Sequence, residues 1–139
     1  MGFFDIFKRK TNKQNKVTEF PPEYLKWNRM WDLWVNGEIE SPYNELMEYS
    51  SGVNNGGHHC HLDNVNGNQD LAKYVEQLML ILDEPLKTNI KNAFNAYMEN
   101  PDDVSDENVA VLENCDNVFY QHEDLINRLL QDRANQIIL

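Results

Sequence analysis

Apolar side chains recur every three or four residues through most of this chain, and this spacing limits the possible folds more than any other feature. The clearest stripe lies between Asp70 and Pro85 and consists of Leu71, Tyr74, Val75, Leu78, Met79 and Leu82. Such spacing places side chains on one face of an α-helix, which must then be buried against a neighbouring element. A β-strand would show alternating apolar and polar residues with many β-branched side chains, and no segment has this pattern. The sequence therefore predicts an all-α fold.

Prolines, glycines and capping residues divide the pattern into helices. The expected helices run from Pro22 to about Gly37, from Ser41-Pro42 onward, from about Asn68–Asp70 to Pro85, from Leu86 to before Pro101, over about Ser105–Glu113, and from about Glu123. With 139 residues and an apolar fraction of 41%, the chain has room for one core. We expect a single-domain bundle of five to six helices in residues 19–139.

Residues 1–18 are predicted to be a separate tail. Four apolar residues (Phe3, Phe4, Ile6 and Phe7) precede five cations (Lys8, Arg9, Lys10, Lys13 and Lys16). This composition is typical of either a weak membrane-surface anchor or a disordered leader. No secretory signal and no apolar run of ~20 residues occur, and Cys60 and Cys115 fit no disulfide framework. We therefore expect a cytoplasmic protein with free thiols.

Charge is strongly segregated along the sequence. Residues 1–16 carry five cations and one carboxylate, whereas residues 17–139 carry 7 cations and 22 carboxylates, a balance of −15. Between Asn92 and Asn127 there is no Lys or Arg. The nine carboxylates in this stretch are Glu99, Asp102, Asp103, Asp106, Glu107, Glu113, Asp116, Glu123 and Asp124. An acidic body repels nucleic acid and attracts basic protein surfaces, so these residues are the predicted interface for a basic protein partner, with no direct nucleic-acid binding.

The most unusual local motif is Asn55-Gly56-Gly57 followed by His58, His59, Cys60 and His61. The glycines allow positive φ, so they are expected to end one helix and begin another at once. On a helix His58 and His61 share a face. A zinc site would need further ligands from a distant residue such as His122, Cys115 or Asp63. The alternative is a turn followed by a short helix in which His58 and His61 are half-buried.

Evidence for catalysis is weak. No phosphate-binding glycine motif is present, and Cys60 is only next to histidines in sequence, which does not place their side chains face to face on a helix. We expect a non-enzymatic interaction protein without a cofactor. Two other hypotheses remain open: an immunity- or antitoxin-like protein that neutralises a basic toxin, and a metal-binding protein or enzyme that uses His58 and His61. An acidic surface that only maintains solubility is a further possibility.

Three short motifs carry a family resemblance that would span residues 22–135. They are Asn55-Gly56-Gly57 with Asn64, then Asn92-Ala93-Phe94, and Asp116-Asn117-Val118-Phe119-Tyr120 with Asp124-Leu125. The pattern resembles a family of small helical bacterial proteins that includes a DNA mimic, although His58 and His61 stand where the family has aromatic residues. The resemblance implies an all-helical monomer or homodimer without enzymatic activity, whose acidic side chains imitate DNA phosphates toward a DNA-binding protein.

Mimicry of DNA sets a requirement on charge density. Residues 92–127 as one helix would span about 54 Å and present one carboxylate per ~6 Å. Duplex DNA carries one charge per ~1.7 Å of its axis. Acidic groups from separate helices must therefore converge on one face, joined by residues such as Asp83, Glu84 or Asp132.

Overall fold

A computed structural model describes residues 20–139 and gives six α-helices. They are α1 (Pro22–Val35), α2 (Tyr43–Asn68), α3 (Leu71–Ile81), α4 (Leu86–Met98), α5 (Asp106–Gln121) and α6 (Glu123–Ala134). The described part is 77% helical and contains no strand, so the all-α prediction is confirmed. The predictions for the tail, residues 1–18, lie outside the described residues.

Two of the predicted helix starts are capped by side chains. The side chain of Asp70 accepts a hydrogen bond from the Lys73 N–H and caps α3, and Ser105 accepts one from the Asn108 N–H and caps α5. Each bond satisfies a backbone donor that the helix itself leaves unpaired. Pro22 stands in the first turn of α1, and Gly37 takes φ +75° just beyond its end.

Other boundaries differ from the prediction. Helix α5 continues to Gln121 rather than ending near Glu113, because Leu112, Cys115 and Phe119 extend its buried face by two turns. Helix α2 begins at Tyr43, after Pro42. Ser41 provides no cap and its hydroxyl donates to the carboxylate of Glu45 instead.

The prediction for Pro85 is also wrong in detail. Helix α3 already ends at Ile81, and Leu82 takes an extended conformation. Pro85 is the N-cap residue of α4, so it marks the start of a helix rather than the end of the previous one.

Helix α2 is the centre of the bundle and packs against α3, α4, α5 and α6, while α1 packs against α6. Helices α4 and α5 form an antiparallel pair. The largest fully buried side chains include Tyr49, Tyr74, Tyr97 and Phe119. One core thus lies around α2, as expected for a chain of this length.

The aromatic stripe of α1 is only partly buried. Met30 is fully buried, but Trp27, Trp31 and Trp34 are only partly covered, and Tyr24 is 50% exposed. The three indole rings stack edge to face along the helix. The stripe therefore forms the border of the core rather than its middle.

None of the six described helices combines the length and the apolar character that crossing a bilayer would require.

Candidate acidic interface and buried histidine network

Five of the nine predicted interface residues lie together where α4 turns into α5. Glu99 directly follows α4, Asp102 and Asp103 stand in the connection, and Asp106 and Glu107 begin α5. All five are exposed. We call this group, Glu99, Asp102, Asp103, Asp106 and Glu107, the acidic turn.

Hydrogen bonds within the turn hold it in a compact shape. The Asp103 N–H donates to the Asn100 carbonyl at 3.1 Å. The side-chain amide of Asn108 in the first turn of α5 donates to the carboxylate of Glu99. The end of α4 and the start of α5 are thus tied together, which keeps the five carboxylates in one place.

No Lys or Arg within residues 20–139 forms an ion pair with any member of the acidic turn. Asp106 and Glu107 have a structural benefit at their positions, because carboxylates stabilise the positive end of a helix dipole. Glu99, Asp102 and Asp103 stand outside the helix and have no such role. The turn is therefore a patch of negative charge that the described residues do not neutralise.

The other four predicted interface residues do not join this patch. Glu113 is exposed two turns further along α5, and Asp124 faces Arg128 at 3.6 Å on the surface. Glu123 accepts a hydrogen bond from the Asn54 side chain at 2.6 Å. Asp116 is half-buried and paired with His58, which is fully buried. Convergence thus extends to five of the nine carboxylates.

The suggested additions to the interface are also dispersed. Asp83 and Glu84 precede α4 and so lie at the opposite end of that helix from the acidic turn, whereas Asp132 belongs to α6.

Asp116, His58 and Tyr49 form a hydrogen-bonded chain between α2 and α5. One carboxylate oxygen of Asp116 lies 2.7 Å from both the backbone nitrogen and Nδ1 of His58. The opposite ring nitrogen, Nε2, lies 2.6 Å from the Tyr49 hydroxyl. His58 and Tyr49 are fully buried. The chain is closed to solvent at the tyrosine, so no substrate can reach that hydroxyl in this arrangement.

Burial and hydrogen bonding set the protonation states of Asp116 and Tyr49 in this network. Partial burial acts to raise the pKa of Asp116, but the hydrogen bonds from His58 outweigh it and the pKa of the carboxyl is lowered. Burial raises the pKa of Tyr49 well above its ordinary value. At neutral pH the network therefore contains an ionised carboxylate at one end and a neutral phenol at the other.

His61 occupies a second buried position one turn further along α2. Its Nε2 lies 2.7 Å from the Tyr74 hydroxyl, which also contacts the Glu45 carbonyl at 3.4 Å. Burial, with a smaller contribution from His58, lowers the pKa of His61 to about 4. Both histidines are more deeply buried than the half-buried positions that the sequence suggested.

Two glycines make room for Asp116 and His61. Gly57 takes φ +80° and ψ 174°, so α2 is kinked there and resumes at once, as Asn55-Gly56-Gly57 predicts. A Cβ on Gly57 would lie 2.8 Å from the Asp116 carboxylate. At Gly52 a Cβ would overlap the His61 ring. Sequence reasoning missed Gly52, although a glycine inside a helical stretch is itself a sign of close packing.

The candidate metal ligands are distributed as follows. His58 and His61 direct their bonded ring nitrogens at Asp116 and at tyrosine hydroxyls. Cys60 is exposed and Cys115 is buried. Within residues 20–139 no three His, Cys, Asp or Glu side chains are grouped in a way that could hold a metal ion.

The motifs behind the family resemblance now have structural positions. Asn55-Gly56-Gly57 form the kink of α2, Asn92-Ala93-Phe94 lie in α4, and Asp116 to Tyr120 form the second half of α5. The resemblance itself stays a prediction. No family model, curated protein or solved structure matches this chain.

Proposed function

We propose that this protein is a non-enzymatic binding protein whose acidic turn docks onto a basic surface of a partner protein, such as the DNA-contacting surface of a DNA-binding protein. The observation that supports this most directly is the acidic turn itself. It presents five exposed carboxylates within nine residues and forms no ion pair with residues 20–139.

The chemistry suits a partner that normally binds phosphates. A carboxylate accepts two parallel hydrogen bonds from an arginine side chain, as a phosphate does. Residues 20–139 carry 7 cations and 21 carboxylates, a balance of −14, so the field around the body attracts basic surfaces from a distance. Charge complementarity of this kind mainly accelerates association and selects partners.

The small size of the acidic turn limits the binding free energy that it supplies by itself. An exposed ion pair contributes about 0.2–1 kcal/mol, so five pairs supply a few kcal/mol at most. A complex of micromolar affinity needs about 8 kcal/mol. The turn therefore steers and orients the partner, and further contacts must complete the interface.

The test uses the full chain immobilised as bait in a lysate of its native host cells. One variant neutralises the turn through Asp102→Asn, Asp103→Asn, Asp106→Asn and Glu107→Gln. A matched control removes the same number of charges elsewhere, through Asp32→Asn, Glu38→Gln, Glu76→Gln and Asp132→Asn, all at exposed positions. Captured proteins are identified, purified and titrated against each bait by calorimetry at low and high salt.

We expect the wild type and the control to retain a basic partner that the turn variant loses. The affinity should fall as salt rises, because salt screens exposed charges. Duplex DNA should compete if the partner is a DNA-binding protein. Equal binding by the turn variant and the control, or an affinity indifferent to salt, would contradict the proposal.

A further inference from the structure

Helices α4 and α5 leave a groove of about 680 Å³ along their contact. Its two ends are acidic, since Glu84 lies at one end of α4 and Glu99, a member of the acidic turn, at the other. Neither Lys87 nor Lys91 of α4 lines the groove, and among residues 20–139 no other cation does. Between the ends the lining is rich in carboxamides: Asn89, Asn92, Asn95, Asn108 and Asn114.

Asparagine is a poor helix former, so its repetition on one side of α4 indicates that these side chains have a structural or binding role. Asn89 has a structural one, because its buried side-chain amide donates to the Cys115 carbonyl at 2.8 Å. Asn92 and Asn95 are exposed, and no hydrogen bond joins their side chains to another residue within the described range. Both residues line the groove, and among residues 20–139 their amides have no hydrogen-bonding partner.

We propose that this groove binds an extended polypeptide segment that carries a basic residue at each end, and that this segment is the part of the partner that the protein recognises. The inference rests on the proposed function and specifies how the partner is held. A carboxamide offers both a donor and an acceptor, the same pair that a peptide unit offers. Asn92 and Asn95 can therefore hydrogen-bond to the backbone of an extended chain whatever its side chains are.

The length of the groove and the charges at its ends favour an extended basic peptide. The 13 residues of α4 span about 20 Å, which an extended chain covers in about six residues. Basic side chains that far apart reach Glu84 and Glu99 together. Hydrogen bonds from Thr88 lower the pKa of Glu84, so the carboxylate is charged at neutral pH. A nucleic-acid strand is a poor fit, because acidic groups stand at both ends of the groove and no cation of the described residues, 20–139, lines it.

The experiment measures fluorescence anisotropy of a labelled probe titrated with the full chain. The probe is a nine-residue peptide of Ser and Ala with lysines at its second and eighth positions. The test variant is Asn92→Ala with Asn95→Ala. The matched control is Asn117→Ala with Asn127→Ala, two exposed asparagines outside the groove. Alanine favours the helix at all four positions, so both variants should fold.

We expect the test variant to bind the probe at least about tenfold more weakly than the wild type, and the control to bind equally well. A second peptide with N-methyl groups on alternate backbone amides should also bind at least about tenfold more weakly, since it cannot donate to the carboxamides. Equal binding of the probe to the test variant and the wild type would overturn the inference, as would no anisotropy change at all with the wild type.

The same variants separate this inference from the proposed function. If a captured basic partner depends on the acidic turn but binds equally to the Asn92→Ala, Asn95→Ala variant, the groove inference fails and the proposed function stands. If the probe depends on Asn92 and Asn95 while partner capture is indifferent to the turn, the groove binds peptides and the proposed function fails.

Discussion

The two ends of α5 use the same residue types in opposite ways. At its start Asp106 and Glu107 belong to an exposed turn without a cation partner, whereas Asp116, in its second half, is fixed by His58 against the kink of α2. Removing a carboxylate from water costs free energy, and only hydrogen bonds or ion pairs in the folded protein offset that cost. Asp116 has such partners and stabilises the fold. The acidic turn keeps its hydration and remains available for another molecule.

The comparison also separates two kinds of polar chemistry within one helix bundle, a hydrogen-bonded network in the interior and a charged surface. Changes in the network of Asp116, His58, Tyr49 and His61 should affect folding, and changes in the acidic turn should affect binding. The following predictions test this division, beginning with the largest expected effect.

Replacing Asp116 by Ala should lower the free energy of unfolding by about 3 kcal/mol, because it removes the acceptor for two hydrogen bonds of buried His58. Asp103→Ala, on the exposed turn, should change it by less than about 0.5 kcal/mol. Urea denaturation of both variants measures the difference. Equal effects would break the distinction between the two ends of α5.

Stability should fall on acidification, by up to about 3 kcal/mol from His61 alone. Its pKa is about 4 in the folded protein against 6.5 ordinarily, so the folded state binds fewer protons. The contribution is complete above about pH 6.5 and is lost as pH falls toward 4. The lowered pKa of Asp116 adds a further loss at still lower pH, as its carboxylate is protonated.

Urea denaturation between pH 7 and pH 4 measures this slope. His61→Gln should flatten it, and His59→Gln, at an exposed position, should not. A slope unchanged by His61→Gln would show that burial of this imidazole does not control the acid sensitivity.

Gly52→Ala should destabilise the protein by about 2 kcal/mol, since the new methyl group overlaps the buried His61 ring. Gly67→Ala is the matched control in the same helix. Apart from its neighbours in the helix, no atom of residues 20–139 lies within 4 Å of its added Cβ, so the better helix propensity of Ala should stabilise by about 0.5–1 kcal/mol. Thermal unfolding of the two variants measures this: Gly52→Ala should lower the midpoint temperature and Gly67→Ala should raise it, if the His61 ring packs against Gly52.

The fourfold neutralised acidic turn should change the free energy of unfolding by less than about 1 kcal/mol. Loss of favourable charge at the start of α5 is partly offset by relief of repulsion among neighbouring carboxylates. Far-ultraviolet circular dichroism and urea denaturation check this. A loss of several kcal/mol would mean that the turn stabilises the fold and would remove the contrast with Asp116.

Much of the fold could be predicted from local signals. The three-to-four-residue apolar spacing predicts the helices, and Asp70, Ser105 and Gly57 predict two starts and the kink. The length of α5 could not be predicted in this way. Its second half contains polar residues whose partners lie in α2, such as Asp116 with His58 and Tyr120 with the Val53 carbonyl. Likewise Ser41 resembles a helix cap until Glu45 competes for its hydroxyl.

Less of the candidate site could be predicted. The absence of cations from Asn92 to Asn127 indicates an acidic surface, but nine carboxylates look alike in sequence. Asp116 is paired by His58 from 58 residues away, and Glu123 by Asn54 from 69 residues away. The groove between α4 and α5 was not foreseen either, because its carboxamides come from two helices.

The sequence alone determined that the chain is helical, where it kinks, and that its body is acidic, because helix propensity, glycine conformation and formal charge are properties of residues and their near neighbours. Only the tertiary structure decided which carboxylates stand free on the surface and which are paired with another helix, and which asparagines line a groove. Those outcomes depend on desolvation and hydrogen bonding between helices that are distant in sequence, so their physical cause appears only when α2, α4 and α5 are packed together.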